Sequence, residues 1–126
     1  MIKNIIFDMG NVLIKFDKKC FLEAVNVSPE DNALLEREVY VSVEWAMMDR
    51  GTLTEKEAAE RMCARLPERL HEKVHQLVDE WDRPILPMSG MAELAGELKA
   101  KGYRLFLLSN ASYRQHEYWP EIPGSE

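Results

Sequence analysis

Asp8 follows the unbroken apolar run Ile5-Ile6-Phe7 and is itself followed by Met9-Gly10-Asn11. A carboxylate in that setting can act as a nucleophile or as a ligand for a metal ion. Gly10 lets the backbone come close to an anion, and successive N–H groups of such a loop can form an anion-binding nest. A second apolar run, Tyr103 to Leu108, ends at Ser109-Asn110, which offer a hydroxyl and an amide able to hold phosphate oxygens. Together these residues suit phosphoryl transfer, where positioning and charge neutralisation supply most of the catalysis. The same residues admit a reading without chemistry, in which Asp8 caps a turn and Ser109 begins a helix.

A third pattern competes for attention. His71-Glu72-Lys73-Val74-His75 matches HExxH, in which two imidazoles on one helical face ligate zinc and the Glu acts as a base. No further His follows at the spacing a third ligand would need. Leu70, Val74, Leu77, Val78 and Trp81 form an apolar stripe that already accounts for the helix. The expectation is therefore a packed helix with two flanking imidazoles. Trp45 and Trp81 read as packing residues, and Arg50 as a solvated side chain or one that reaches a phosphate.

For Asp8 and Ser109-Asn110 to act together, the surrounding elements must bring them to one place. Each apolar run reads as a strand buried on both faces, as in a parallel sheet, with the first stopped by Gly10 and Asn11. Between them the spacing predicts helices. One follows Asp17 through Phe21, Leu22 and Val25. A second opens at Ser28-Pro29 and runs through Leu34, Leu35 and Val39. Arg50-Gly51 breaks the pattern, and Thr54 with Glu57 forms a capping box for a helix ending near Leu66-Pro67. Pro84 and Pro87 mark a boundary. A last helix through Met91, Leu94, Ala95 and Leu98 has Ser89 as its expected N-cap and Gly102 as its stop. Strand, helices and strand imply a right-handed parallel crossover with a helical insert. Ligands of parallel sheets bind beyond the carboxyl ends of the strands, where Asp8, Ser109 and Asn110 all lie. The three meet only if the two strands pair.

Bulk properties narrow the partners. The chain has 126 residues, 46% hydrophobic and 30% charged, with a net charge of −6. An acidic chain lacks the basic patch that nucleic acid requires and the basic amphipathic face that favours an anionic membrane surface. Cys20 and Cys63 form no CxxC pair and read as reduced thiols. No apolar run is long enough to span a bilayer, and the cytoplasm is the expected location.

Ile5-Ile6-Phe7-Asp8-Met9-Gly10-Asn11-Val12-Leu13 resembles the first motif of the haloacid dehalogenase superfamily of hydrolases. Leu107-Leu108-Ser109-Asn110 resembles its second motif. Asp49-Arg50-Gly51-Thr52-Leu53-Thr54 and the run from Met88 to Tyr103 resemble the subgroup with a helical cap after strand one. That subgroup includes sugar-phosphate phosphatases and the amino-terminal phosphatase domain of epoxide hydrolases. The resemblance implies an α/β fold, a partial doubly wound, Rossmann-like parallel core made of residues 1–15 and 84–126, with a cap at 16–83. It implies that Asp8 attacks phosphorus to form an aspartyl-phosphate. Mg²⁺ would be held by Asp8 and the Gly10 carbonyl, and phosphoryl oxygens by Ser109, Asn110 and loop amides near Asn11. The cap would close over the site and select a small-molecule phosphate ester, such as a sugar phosphate.

Two departures qualify that picture. Phosphatases of this family carry a second Asp where this chain has Gly10, and losing a positioned acid or base slows such reactions ~10²- to 10⁴-fold. The family's phosphate-binding Lys and later metal-binding acids have no counterpart here, so the chain reads as the amino-terminal part of such an enzyme. Two strands alone would also leave open edges and bare apolar faces, which favour self-association. Alternatives are a 2-haloacid dehalogenase, in which the same Asp attacks carbon without a metal, and a binding domain that kept the fold and lost the chemistry. Little or no turnover is expected from an isolated 126-residue monomer.

Overall fold

Asn4–Phe7 (β1) and Arg104–Leu107 (β4) pair in parallel, with Ile5 opposite Leu105 and Phe7 opposite Leu107. The ladder continues at both ends: Arg104 N–H donates to the Lys3 carbonyl at 3.0 Å, and Leu108 N–H to the Phe7 carbonyl at 2.9 Å. This computed structural model describes residues 1–81, 83 and 85–126. Pro84, expected to mark a boundary, lies outside the described residues. The chain is mixed α/β, with helices between the two partners of the parallel pair.

The chain divides into two units. The first comprises Met1–Phe16, Ile85–Ser109 and His116–Glu126. Besides the parallel pair it contains an antiparallel two-residue ribbon, Ile14–Lys15 (β2) with Leu86–Pro87 (β3). This ribbon has no periodic signal because it is too short to show one. Met88 N–H donates to the Leu13 carbonyl at 2.8 Å and extends it. Helix Met91–Ala100 (α6) leads into β4, and Gly102 takes the left-handed φ of +86° that ends it. Its N-cap is Gly90, at φ +78°, and not Ser89; no side chain caps this helix.

Burial corrects the expectation of strands covered on both faces. Ile5, Phe7, Leu105 and Leu107 are half-buried, whereas Ile6 is 61% exposed and its partner Phe106 49%. Leu108 is 69% exposed on the same side as Phe106. Successive side chains alternate between the two faces of a strand, so covering one face leaves the other bare. An unbroken apolar run does not reveal which face has a neighbour.

The second unit, Asp17–Pro84 with Asn110–Gln115, is helical. Its first four α-helices start on side-chain caps, those at Asp17, Ser28 and Thr54 legible in the sequence. Asp17 caps Lys18–Ala24 (α1), Ser28 caps Pro29–Leu35 (α2), and Ser42 caps Val43–Asp49 (α3). Thr54 and Glu57 form the expected capping box of Glu55–Cys63 (α4). That helix stops three residues before Leu66. Helix α2 does not run on as α-helix but widens into a π-helical stretch at Glu36–Tyr40, which buries both Val39 and Tyr40. His71–Asp79 (α5) buries Val74, Leu77 and Val78, as its stripe implies. Trp45, 7% exposed, stacks edge-on against Tyr40 at 4.7 Å and is a core residue; Arg50 is exposed. A short helix, Gln115–Tyr118 (α7), follows the segment at Asn110.

Of the buried apolar residues among those described, Met9, Ile14, Tyr118 and Ile122 belong to the first unit and all the rest to the second. The helical unit is further tied by Arg65. Its guanidinium grips the Glu44 carboxylate through two bonds of 2.8 and 2.9 Å, and donates to the Glu38 carboxylate at 2.9 Å and to the Glu38 carbonyl at 3.5 Å. Glu44 is buried, so it depends on that partner.

Removing Arg65 strands a buried carboxylate, and Arg65→Ala is expected to destabilise the helical unit by about 1–3 kcal/mol. Hydrogen bonds from Arg65 hold the Glu44 carboxyl below the ordinary value of 4.5, and Arg37 and Arg65 do the same for Glu38. These contributions are complete above that value and are lost as pH falls through the folded-state values. Burial pushes Asp49 upward, partly offset by Lys18, so its contribution runs the opposite way and fades as pH rises. Thermal melts between pH 7 and pH 3 should show wild type and Arg65→Ala converging at acid pH; a constant gap would contradict the assignment.

Candidate functional site

Asp8 and Ser109 leave the carboxyl ends of β1 and β4, and the parallel register makes those ends neighbours. Asp8 follows Phe7, which is opposite Leu107, and Ser109 lies two residues past Leu107. The pairing that the site requires is therefore present. Asp8 is exposed, and its Oδ1 accepts the Met9 N–H at 2.7 Å. This contact orients the carboxylate while engaging one of its two oxygens. Ser109 is half-buried. Asn110 belongs to the helical unit, whereas Asp8, Gly10, Asn11 and Ser109 belong to the first.

The loop after Asp8 is built around the Met9 carbonyl. It accepts N–H groups from Val12, Leu13 and Ile14 at 3.3, 2.9 and 3.1 Å. Asn11 N–H donates to the Ile14 carbonyl at 2.7 Å, and Asn11 Oδ1 accepts the Phe16 N–H at 2.9 Å. The N–H groups of residues 11–14 are thus satisfied within the loop in this conformation. An anion nest drawing on them would require the loop to open. The sequence does not reveal this, because Gly10-Asn11 permits both a nest and a self-bonded turn.

Asn11, not Gly10, takes the left-handed conformation, with φ +56°. Asn is one of the few residues other than Gly that visits this region, aided by local side-chain bonding. Gly10 has no heavy atom within 4 Å of where a Cβ would stand. The glycine leaves open space, as close approach of a ligand to the backbone needs, and not a tight packing contact.

A contact that sequence reasoning missed anchors the loop from below. Met9 is 5% and Tyr118 4% exposed, and Tyr118 Oη lies 3.9 Å from the Met9 sulfur, within reach of a weak O–H···S bond. The residue after Asp8 is held by a side chain from the carboxyl-terminal segment. Nothing in the local pattern pairs residues so far apart.

Mg²⁺ binds hard oxygen donors, commonly one or two carboxylates with water and substrate phosphate supplying the rest. The Asp8 carboxylate and Gly10 carbonyl are donors of that kind. Among the described residues no three His, Cys, Asp or Glu side chains gather around a common point, so a fuller protein cage is not built from them. The HExxH spacing makes no such group either. His71 Nε2 bonds the Leu66 carbonyl at 3.0 Å, and His75 Nδ1 meets Asp79 Oδ2 at 3.0 Å. Both cysteines are free thiols, with Cys20 Sγ donating to Asp17 Oδ2 at 3.2 Å. No helix among the described residues is long and apolar enough to cross a membrane. No protein-family model matches the chain, and no curated protein matches it.

The two loop positions make opposite predictions. Gly10→Ala should change stability by less than about 1 kcal/mol, because the site is open and φ is not left-handed. Asn11→Ala should cost about 1–3 kcal/mol, since it loses the bond to Phe16 and leaves an alanine in the left-handed region. Equilibrium urea denaturation of both variants checks the order; equal losses would mean that the loop geometry is set elsewhere.

Proposed function

We propose that this chain carries the nucleophile and a phosphoryl-binding segment of a haloacid-dehalogenase-type hydrolase, a Mg²⁺-dependent phosphatase acting on a small phosphorylated metabolite such as a sugar phosphate. The observation that supports this most directly is the parallel pairing of β1 and β4, which makes the strand ends bearing Asp8 and Ser109 neighbours. On this reading the fold is part of a doubly wound parallel core, residues 1–15 and 84–126, with a helical cap at 16–83.

Asp8 is the acceptor of the phosphoryl group. An oxygen of its carboxylate attacks phosphorus, the bond from phosphorus to the leaving oxygen breaks, and water later hydrolyses the aspartyl-phosphate. The Met9 N–H on Oδ1 orients the carboxylate. Ser109 Oγ and the Asn110 amide hold phosphoryl oxygens. The Asp8 carboxylate and the Gly10 carbonyl would hold Mg²⁺, which when bound would supply neutralisation of charge on the phosphate. No acid follows the nucleophile at Gly10, which favours esters whose leaving group departs without protonation.

A fluoroberyllate probe tests the nucleophile without demanding turnover, because it mimics a phosphoryl group bonded to a carboxylate. Wild-type protein is expected to give a Mg²⁺-dependent bound fluorine resonance that Asp8→Asn and EDTA both abolish. Equal signals from wild type and Asp8→Asn, or none from either, would sink the proposal. Halide release from a 2-haloacid without Mg²⁺ would instead assign the same aspartate to dehalogenation.

A further inference from the structure

One face of the β1–β4 pair is exposed along its whole length. Asn4, Ile6 and Asp8 stand on it from the first strand and its end, and Arg104, Phe106 and Leu108 from the other. The register sets Asn4 beside Arg104 and Ile6 beside Phe106. The face therefore has an apolar middle, a cation two residues before it and a carboxylate two residues past it. An exposed apolar patch rimmed by polar groups marks an interaction site. All six residues belong to the first unit.

We propose that this face docks on the same face of a second copy, related to the first by a twofold axis running across the strands. Such an axis stacks β1 on β1 and β4 on β4, with the strands of the two copies running in opposite directions. Ile6 and Phe106 each meet their counterparts at the centre, and the aliphatic stem of Arg104 covers Leu108 of the other copy. Arg104 Nε donates to Asn4 Oδ1 at 2.9 Å, which leans the guanidinium from β4 toward β1. In the second copy, the strand end beneath that guanidinium is the one bearing Asp8. A long Arg and a short Asp together span the ~10 Å between stacked sheets. The twofold makes this ion pair twice and closes the assembly at two copies. Pairing through the strand edges, open on both sides of a two-stranded sheet, does not by itself close. Opposite charges at equal distances from the apolar middle favour the face over the edges. The net charge of −6 opposes association at long range, so the dimer is weak. The inference uses only the charge of Asp8 and stands apart from its role as a nucleophile.

Sedimentation velocity of the intact chain across concentration tests it. A monomer–dimer equilibrium with a dissociation constant on the order of 10–100 µM is expected, since so short a strand pair buries less than a standard interface. Phe106→Ser should weaken it at least about 10-fold. Arg104→Glu and Asp8→Arg, each of which sets like charges opposite one another, should do the same. An equimolar mixture of these two variants should associate within about 3-fold of wild type, because every Arg then meets an acid again. A variant that had merely lost its fold would not recover in the mixture. If either reversal alters the far-UV dichroism, Arg104→Gln and Asp8→Asn replace the pair, each expected to weaken the dimer by about 3-fold. Wild type that stays monomeric up to about 1 mM overturns the proposal and leaves the face to a different occupant. So does a dimer that none of these variants moves, a mixture that fails to associate, or growth beyond two copies.

Discussion

Four residues of β1 against four of β4 carry the geometry on which the candidate site depends. The partners are 100 positions apart, Asn4 with Arg104, so no local preference brings them together. Closing so long a loop costs entropy that the pairing itself must offset. The apolar contribution comes from one face only, through Ile5, Phe7, Leu105 and Leu107, while Ile6, Phe106 and Leu108 stand in solvent. The element that juxtaposes Asp8 and Ser109 is therefore thinly supported. The β2–β3 ribbon and the Met88–Leu13 hydrogen bond reinforce it by fixing where the chain leaves the first unit and where it returns.

The helical unit rests on different physics. It contains nearly all the fully buried apolar side chains, and each of α1 to α4 begins on a side-chain cap. Of its buried carboxylates, Glu44 is matched by the planar fork of Arg65, a geometry in which arginine is not replaceable by lysine. The π-helical turn at Glu36–Tyr40 is where this packing departs from a regular helix. It inserts Tyr40 against Trp45 and leaves the Tyr40 hydroxyl buried without a partner among the described residues. Burial alone pushes that phenol upward, keeping it neutral at any ordinary pH.

Within the first unit, the loop after Asp8 is organised for self-consistency. Three amides converge on the Met9 carbonyl, Asn11 accepts the left-handed turn, and Tyr118 contacts the Met9 sulfur. What faces outward is the Asp8 carboxylate and the open space at Gly10. Such a loop positions a carboxylate firmly while leaving an approach to its backbone.

Much of this was legible in the residues alone. The caps at Asp17, Ser28 and Thr54 act through bonds within a few residues, and the stripe in α5 follows from helical periodicity, so both are written locally. The apolar runs before Asp8 and Ser109 located the strands and their ends for the same reason. Tertiary structure decided what depends on distant partners: that the two strands pair, which of their faces is covered, and that a two-residue ribbon joins Ile14 to Leu86. It also decided that Ser89 leaves the α6 N-cap to Gly90, and that Asn11 takes the left-handed φ while Gly10 does not. The hydrogen bond from the Arg114 amide to Glu55 and the contact of Tyr118 with Met9 were invisible in the sequence, since hydrogen bonds across 59 and 109 residues leave no periodic trace. Local patterns specify elements because their interactions are short in sequence; a site assembled from separate elements exists only once the chain has closed on itself.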